Sequence, residues 1–320
     1  MNPATSSARR RTTATLSLST LAAALVAATT LTSAGPAHAA TPTTAGHTPL
    51  TAITHTVSAS AQQAARGLWT RKAMETATPL PLPEPLKAAA PAIKPNVIPH
   101  PSAFNGVPTV GALFLTIGKQ RHFCTASVVN SLTANLVLTA AHCVYGSGPV
   151  TNAAFVPGYS YGHEPYGAWP VETVTVAAGW QQSHDPDLDF AFLKVAPPSG
   201  THVPIQFVTG GLWLGINSGY VHPIFVIGYN NPEDYPIGCA THSFKYKPVA
   251  DTMQFKCRAF WNGTSGGPWI TNYNSSNGHG TVIGVIGGYE EGGLVAWSSY
   301  STYFGLPTLK LFVQAEKAQA

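Results

Sequence analysis

Three short segments of the sequence carry residue types that could act together as a base, a nucleophile and a carboxylate. The first is residues 139–143, where an apolar stretch, residues 136–138, delivers His142 next to a cysteine. A general base needs an imidazole that is held rigidly at the end of a strand and faces a cleft. The chain has twelve histidines, and any one of them alone is more often structural than catalytic. The preceding strand makes His142 the candidate base.

The second segment, residues 263–268, places Ser265 between glycines. Glycine lets the backbone turn sharply, so that N–H groups can face a cleft beside the serine hydroxyl. The amides of Gly263 and Ser265 would then form an oxyanion hole for charge that develops in the transition state. The alternative is an ordinary turn in a chain that contains 30 glycines.

The third segment begins with Asp189, directly before the apolar run 190–195. A carboxylate buried at the start of a strand can accept a hydrogen bond from His142, fix its tautomer and stabilise the imidazolium. Asp185 and Asp187 are close competitors. We interpret them as solvated loop carboxylates, because only Asp189 immediately precedes the apolar run.

The pattern G-x-S-x-G around Ser265 also occurs in α/β-hydrolases, where the order along the chain is Ser, then Asp or Glu, then His. After Ser265 this chain has His279 but no aspartate, and its glutamates come only beyond that histidine. An alternation of strands and helices is missing as well. The α/β-hydrolase interpretation is therefore excluded.

The elements that must position these residues have the pattern of short strands. Only 9% of residues are charged, whereas Gly (30) and Pro (27) are abundant, which suits an all-β protein with many turns. Apolar runs too short for helices recur between turn residues, at 111–117, 123–129, 136–140, 171–177, 190–195, 224–227 and 281–286. The end of the chain predicts a helix that begins at Pro307, with an apolar stripe of Leu309, Phe312 and Val313. We predict one all-β domain over residues 104–320 with a C-terminal helix.

The first 103 residues differ from the rest in charge and composition. They hold eight Lys/Arg against two acidic residues, whereas residues 104–320 hold nine against eleven. Arginines at 9–11, a soft apolar stretch at 16–31 and an A-x-A pattern at 37–39 predict a signal peptide, residues 1–39, and not a membrane span. Residues 40–103 include eight prolines between positions 79 and 101. We interpret them as a propeptide or linker, because proline cannot supply ladder hydrogen bonds.

Export predicts a secreted protein whose cysteines are oxidised. The four cysteines show no C-x-x-C spacing, so they indicate two disulfides and no metal site, with three pairings open; they are Cys124, Cys143, Cys239 and Cys257. No basic run suggests nucleic acid. We expect a monomer without cofactor that leaves the membrane after signal cleavage and binds protein or peptide substrates.

Residues 139–143, 189–193 and 263–268, in the order His, Asp, Ser, resemble the trypsin/chymotrypsin superfamily of serine proteases. They are most similar to bacterial secreted trypsin-like and glutamyl-endopeptidase-like peptidases. The resemblance covers roughly residues 107–312. It implies two six-stranded antiparallel β-barrels with the active site between them, and a serine endopeptidase that forms an acyl-enzyme. It also implies the disulfides Cys124–Cys143 and Cys239–Cys257.

The sequence departs from digestive trypsins at two places. Thr264 stands where those enzymes have an aspartate that pairs with a newly cut N-terminus, so a zymogen of this chain would need another means of activation. The second departure concerns the substrate-binding positions. Ala259 lies in a segment without the carboxylate that would bind an Arg or Lys side chain of the substrate. Gly287 and Gly288 lie on the predicted lining strand, which lacks the histidine by which glutamyl endopeptidases recognise an acidic side chain. Activity should rise with pH around the ordinary histidine value of about 6.5. The alternative function is a catalytically silent binding protein with a protease fold.

Overall fold

The computed structural model of the chain describes residues 50–81, 98–146, 148–230 and 234–319, which form two β-sheets and six α-helices. The strands are β1 (Ala52–Thr56), β2 (Thr78–Pro79), β3 (Ser102–Ala103), β4 (Val110–Ile117), β5 (Gln120–Val128), β6 (Leu136–Thr139), β7 (Thr151–Pro157), β8 (Trp169–Ala177), β9 (Ala191–Val195), β10 (Trp213–Leu214), β11 (Pro223–Tyr229), β12 (Pro236–Lys245), β13 (Thr252–Lys256), β14 (Pro268–Asn274), β15 (His279–Val285) and β16 (Ser298–Thr302). The helices are α1 (Ala59–Leu68), α2 (Arg71–Glu75), α3 (Ala141–Val144), α4 (Ala178–Ser183), α5 (Ile205–Thr209) and α6 (Leu306–Lys317).

The first sheet closes into a six-stranded barrel. Its strands run in the order β8-β7-β4-β5-β6-β9, and pairing of β8 with β9 completes the circle. The longest hairpin joins β4 to β5 through a two-residue turn, because Ile117 pairs with Gln120 and Gly118 takes a φ of +60°. Closure removes the free edges that a sheet otherwise exposes.

Strand β4 is buried on both faces, which explains its nearly continuous apolar sequence. Alternate side chains of a strand point to opposite faces. Leu113 and Leu115 pack inside the barrel, whereas Phe114 packs on the outside against Trp69 and Met74. The N-terminal segment, residues 50–81, therefore supplies the cover for the outer face of this barrel.

The N-terminal segment packs on the barrel although it precedes the predicted start of the protease domain at residue 104, and that boundary stays a prediction. Strand β1 pairs antiparallel with β8, and Ala65, Trp69 and Ala73 are each at most 4% exposed. They lie in and between two short helices, α1 and α2, whose sequences are too short and too alanine-rich to show a helical period.

The second sheet has the order β10-β15-β14-β11-β12-β13-β16, with β3 paired to β12. Its core contains Phe255, Trp269 and the disulfide Cys239–Cys257. The other disulfide, Cys124–Cys143, lies in the core of the barrel. Both pairings are those that the resemblance implies. Each closes a loop of 18 or 19 residues, which stabilises the fold by on the order of 3 kcal/mol in the chain-entropy model.

All seven predicted strands are confirmed, and so is the all-β fold class with a C-terminal helix. Several strands of the second sheet, β12, β13, β14 and β16, were not predicted. Strand β16 shows the reason, since its sequence is mostly Ser and Thr yet all five residues are buried. Tertiary hydrogen bonds satisfy these hydroxyls; the Ser301 hydroxyl, for example, accepts from Val285 N–H at 3.0 Å.

The C-terminal helix is present, but of its predicted apolar stripe only Phe312 packs against the core. Thr308, Leu311 and Ala315 form the buried face, whereas Leu309 and Val313 are 39% and 38% exposed. Both sets fit a helical period, so the sequence allows either rotation. The end of the helix is held against β9, where Lys194 Nζ donates to the carbonyl of Glu316 at 3.1 Å. Across the described ranges, no helix is long and apolar enough to cross a membrane.

Candidate active site

His142 and Asp189 meet at one end of the barrel. Strands β6 and β9 are paired so that Thr139 lies opposite Ala191, which places both residues just beyond the paired region. Asp189 Oδ1 accepts a hydrogen bond from His142 N–H at 2.9 Å, and Oδ2 lies 2.8 Å from His142 Nδ1. The carboxylate is fully buried and the side chain of His142 is 4% exposed. One carboxylate thus fixes both the backbone and the ring of the histidine.

A third donor to Asp189 comes from the second sheet. Gly288 N–H donates to Oδ2 at 2.7 Å. Gly287 passes so close that a Cβ there would lie 3.0 Å from the backbone O and from Oδ2 of Asp189. The two glycines are therefore required for contact between the sheets, and the Gly288 N–H is occupied by the carboxylate.

Asp185 and Asp187 lie outside this arrangement, as their interpretation as loop carboxylates requires. Asp187 is exposed, and Asp185 Oδ1 accepts the Asp187 N–H at 3.0 Å at the start of a short 3₁₀ turn. Of the three candidate aspartates, only Asp189 contacts His142.

Ser265 lies in a tight loop between positive-φ glycines, Gly263 at +94° and Gly266 at +78°. A Cβ on Gly266 would lie 2.1 Å from Thr139 Oγ1, so this glycine lets the loop pack against the strand that leads to His142. Ser265 is 1% exposed. Within the described residues, neither its Oγ nor His142 Nε2 has a hydrogen-bond partner.

The backbone N–H groups of Gly263 and Ser265 donate to no acceptor among the described residues. Their neighbours are engaged instead: Thr264 N–H bonds to Trp261 O at 3.0 Å and Gly266 N–H bonds to Ile286 O at 2.7 Å. A pair of unengaged amides beside a serine hydroxyl is the arrangement that can bind an oxyanion.

The environment of His142 changes its proton affinity. Burial alone would lower the pKa of His142, but the negative charge of Asp189, the hydrogen bond to it and the charge of Glu291 outweigh that effect. The pKa therefore lies above the ordinary value of 6.5. The midpoint of the pH profile of activity is therefore expected to lie above 6.5.

An open cleft of about 310 Å³ lies beside His142. The tip of the β4–β5 hairpin, at Gly118, forms one wall and the loop around Pro149 forms the other. The predicted pocket residue Ala259 is exposed in the second half of the molecule, with its carbonyl accepting from Asn230 Nδ2 at 3.0 Å. Cys124, His142 and Cys143 lie together, but both sulfurs are in a disulfide and cannot act as thiolate metal ligands.

Thr125 is a site residue that the sequence patterns did not single out. It lies on β5, is fully buried, and bonds to the Ser265 loop through both its backbone N–H and its hydroxyl. Its position directly after Cys124 was the available signal. A lone threonine in an apolar strand carries no pattern that would distinguish it from a core residue.

Comparison with known proteins identifies the family. The sequence profile described as Trypsin matches residues 99–294, more than half of the chain. The chain therefore belongs to the trypsin family of serine proteases, as the three motifs predicted. This membership supports a peptidase function. No curated protein sequence matches significantly.

Solved structures agree on the fold. Protease Anisep from Arthrobacter nicotinovorans is 24% identical, with a TM-score of 0.59 over 68% of this chain and 100% of that chain. The thermostable serine protease AL20 from an extremophilic microorganism is 23% identical, with a TM-score of 0.59 over 66% of this chain and 98% of that one. A Glu endopeptidase structure is 14% identical, with a TM-score of 0.52 over 69% and 98% of the two chains.

Proposed function

We propose that this chain is a secreted serine endopeptidase in which His142, Asp189 and Ser265 form the catalytic triad. The observation that carries the proposal is the buried carboxylate of Asp189, which contacts both the N–H and the Nδ1 of His142 at 2.9 and 2.8 Å. A carboxylate in this position keeps the proton on Nδ1 and leaves Nε2 free to act as a base.

The reaction begins when Ser265 Oγ attacks the carbonyl carbon of a peptide bond. The hydroxyl proton moves to His142 Nε2, and the carbonyl oxygen becomes an oxyanion that accepts hydrogen bonds from Gly263 N–H and Ser265 N–H. His142 then gives this proton to the leaving nitrogen as the C–N bond breaks, which leaves the acyl group as an ester on Ser265.

Water completes the cycle. His142 Nε2 takes a proton from a water molecule while the water oxygen attacks the ester carbonyl. The N–H groups of Gly263 and Ser265 bind the second oxyanion. The proton returns to Ser265 Oγ as the acid product leaves. Asp189 stays ionised throughout and stabilises the imidazolium that forms in each half of the reaction.

Peptides are the substrate class, and preference at the scissile bond follows from the pocket positions. Residues 258–262 contain no carboxylate, so a basic side chain would lack a partner there. Ala259 and the segment after β15 that contains Gly287 and Gly288 are proposed to line the pocket. Glu290 and Glu291 follow this segment, and Glu291 is close enough to affect the pKa of His142.

Export and maturation form part of the proposal. Residues 1–39, the predicted signal peptide, and most of the Pro-rich stretch lie outside the described residues. We expect the mature enzyme to lack residues 1 to about 95–105, because strand patterns in the sequence become continuous only after Phe104; cleavage there would also remove residues 50–81 from the outer face of the barrel. Intact-mass analysis of culture supernatant tests this. A dominant active species that begins near Ala40 would contradict it.

A peptide library combined with an active-site probe tests the function. The purified protein should cleave peptides, detected by mass spectrometry, and should react with a fluorophosphonate. Ser265→Ala should abolish both and should leave the melting temperature nearly unchanged. Ser276→Ala, at an exposed serine, is the matched control. If wild-type protein neither cleaves any peptide nor reacts with the probe, the silent binding protein replaces the peptidase.

A further inference from the structure

We propose that Thr125 is a positioning residue that fixes the oxyanion pocket around Ser265. The inference rests on the proposed function. Thr125 N–H donates to Ser265 O at 2.8 Å, and Thr125 Oγ1 donates to Gly263 O at 2.9 Å. A single residue of the barrel thus holds the two backbone carbonyls that lie on either side of Thr264.

These carbonyls belong to peptide groups whose other ends are also fixed. The peptide after Gly263 is held at its N–H by Trp261 O, at 3.0 Å, and the peptide after Ser265 is held at its N–H by Ile286 O, at 2.7 Å. Peptide groups are planar. The Ser265 N–H lies on the one peptide between these two, so locking both neighbours restricts the direction in which it points.

The Thr125 hydroxyl is itself oriented. Its oxygen accepts the N–H of Tyr229 at 2.9 Å, and a hydroxyl has only one proton to donate. That proton is therefore directed at Gly263 O. The Thr125 carbonyl in turn accepts Thr139 Oγ1 at 2.8 Å, which links this arrangement to the strand that carries His142.

Thr125→Val keeps the shape of the side chain and removes the hydroxyl. We expect kcat on a peptide substrate to fall about 10- to 100-fold, less than the loss seen when an oxyanion donor itself is removed. KM should change little, and affinity for a peptide aldehyde, which forms a tetrahedral adduct, should fall in parallel with kcat. The pH midpoint should not move, because His142 and Asp189 keep their contacts. Thr125→Ser should restore kcat.

Thr109→Val is the matched control, because Thr109 is also fully buried and its hydroxyl donates to a glycine carbonyl, Gly278 O, at 2.7 Å. It should lose stability without loss of kcat. If Thr125→Val folds poorly, kcat of Thr125→Ser and of Thr125→Ala, measured at a lower temperature, again compares a side chain with a hydroxyl to one without. Wild-type kcat in Thr125→Val would overturn this inference, whereas inactive wild-type protein would overturn the proposed function instead.

Discussion

The two halves of the candidate site are held in place by different means. His142 is fixed by a carboxylate through bonds of 2.9 and 2.8 Å, and that carboxylate is completed by Gly288 N–H at 2.7 Å. Ser265 has no hydrogen bond to its hydroxyl within the described residues, and its loop is held by backbone bonds and by close packing of Gly266. Charge therefore orients the base, whereas backbone hydrogen bonds, close glycine packing and the neutral hydroxyl of Thr125 hold the loop of the nucleophile.

This difference predicts that substitutions on the two sides will affect activity and stability differently. Changes on the base side should alter chemistry and pH dependence without much effect on folding, because they replace one polar group by another. Changes to the contacts that hold the nucleophile loop should alter activity and stability together, since the same contacts hold the loop and the interface between barrel and second sheet. Ser265→Ala is the exception, because the Ser265 hydroxyl makes no hydrogen bond within the described residues.

The largest effect is expected from Asp189→Asn on the base side. Asparagine keeps the shape but favours the wrong imidazole tautomer, so kcat should fall on the order of 10⁴-fold. Asp185→Asn is the control, because Asp185 only caps a 3₁₀ turn, and it should stay near wild type. Steady-state kinetics with melting curves check both. Equal losses in the two variants would show that Asp189 has no special role.

Gly266→Ala should disrupt the loop that holds Ser265. The new Cβ would lie 2.1 Å from Thr139 Oγ1, at a backbone φ of +78°. We expect kcat to fall about 100-fold and the free energy of unfolding to drop by on the order of 3 kcal/mol. Gly67→Ala, where a Cβ meets nothing within 4 Å, is the control. Urea unfolding and peptide hydrolysis measure both quantities, and a variant that loses activity but no stability would contradict the shared-contact explanation.

A smaller effect is expected on the pH dependence of activity, which reports on the base side of the site alone. His142 must be neutral to act as base, and its pKa is raised above 6.5 because Asp189 and Glu291 stabilise the charged form more than burial destabilises it. Activity should therefore rise with pH, with a midpoint above 6.5. Glu291→Gln should move the midpoint down. A wild-type midpoint below the ordinary histidine value would mean that burial dominates.

The smallest predicted effect concerns preference at the scissile bond. Because residues 258–262 hold no carboxylate, Arg substrates should react at most about a tenth as fast as the best apolar substrate. Chromogenic peptides with Arg, Phe, Leu and Glu measure the ratio. A clear preference for Arg that disappears in Glu291→Gln would assign the missing charge to Glu291.

The strands that surround the candidate site were largely predictable, because residues 136–138 and 190–195 are apolar runs that end next to His142 and begin after Asp189. The packing of residues 50–81 on the barrel was not predictable from the sequence. Trp69, which follows α1, and Met74, in α2, are buried against the barrel, yet both helices are short and the neighbouring residues are mostly polar or alanine. Packing stabilises such helices more than their own sequence does.

The face of the C-terminal helix was mispredicted for a related reason. Leu309 and Val313 are more apolar than Thr308 and Ala315, yet the smaller residues lie inward. The space available against the barrel, and not hydrophobicity alone, selects the rotation of a helix whose two stripes both have helical spacing.

The sequence by itself determined the family, the order of His142, Asp189 and Ser265, and the strand texture, because these depend on local residue type and spacing. Only the tertiary structure decided that Gly288 completes the carboxylate, that Thr125 holds the Ser265 loop, and that β2 pairs with β5. Each of these is a contact between segments far apart in the chain. A backbone N–H or a lone hydroxyl has the same chemistry at every position, so only its neighbours in space give it a role.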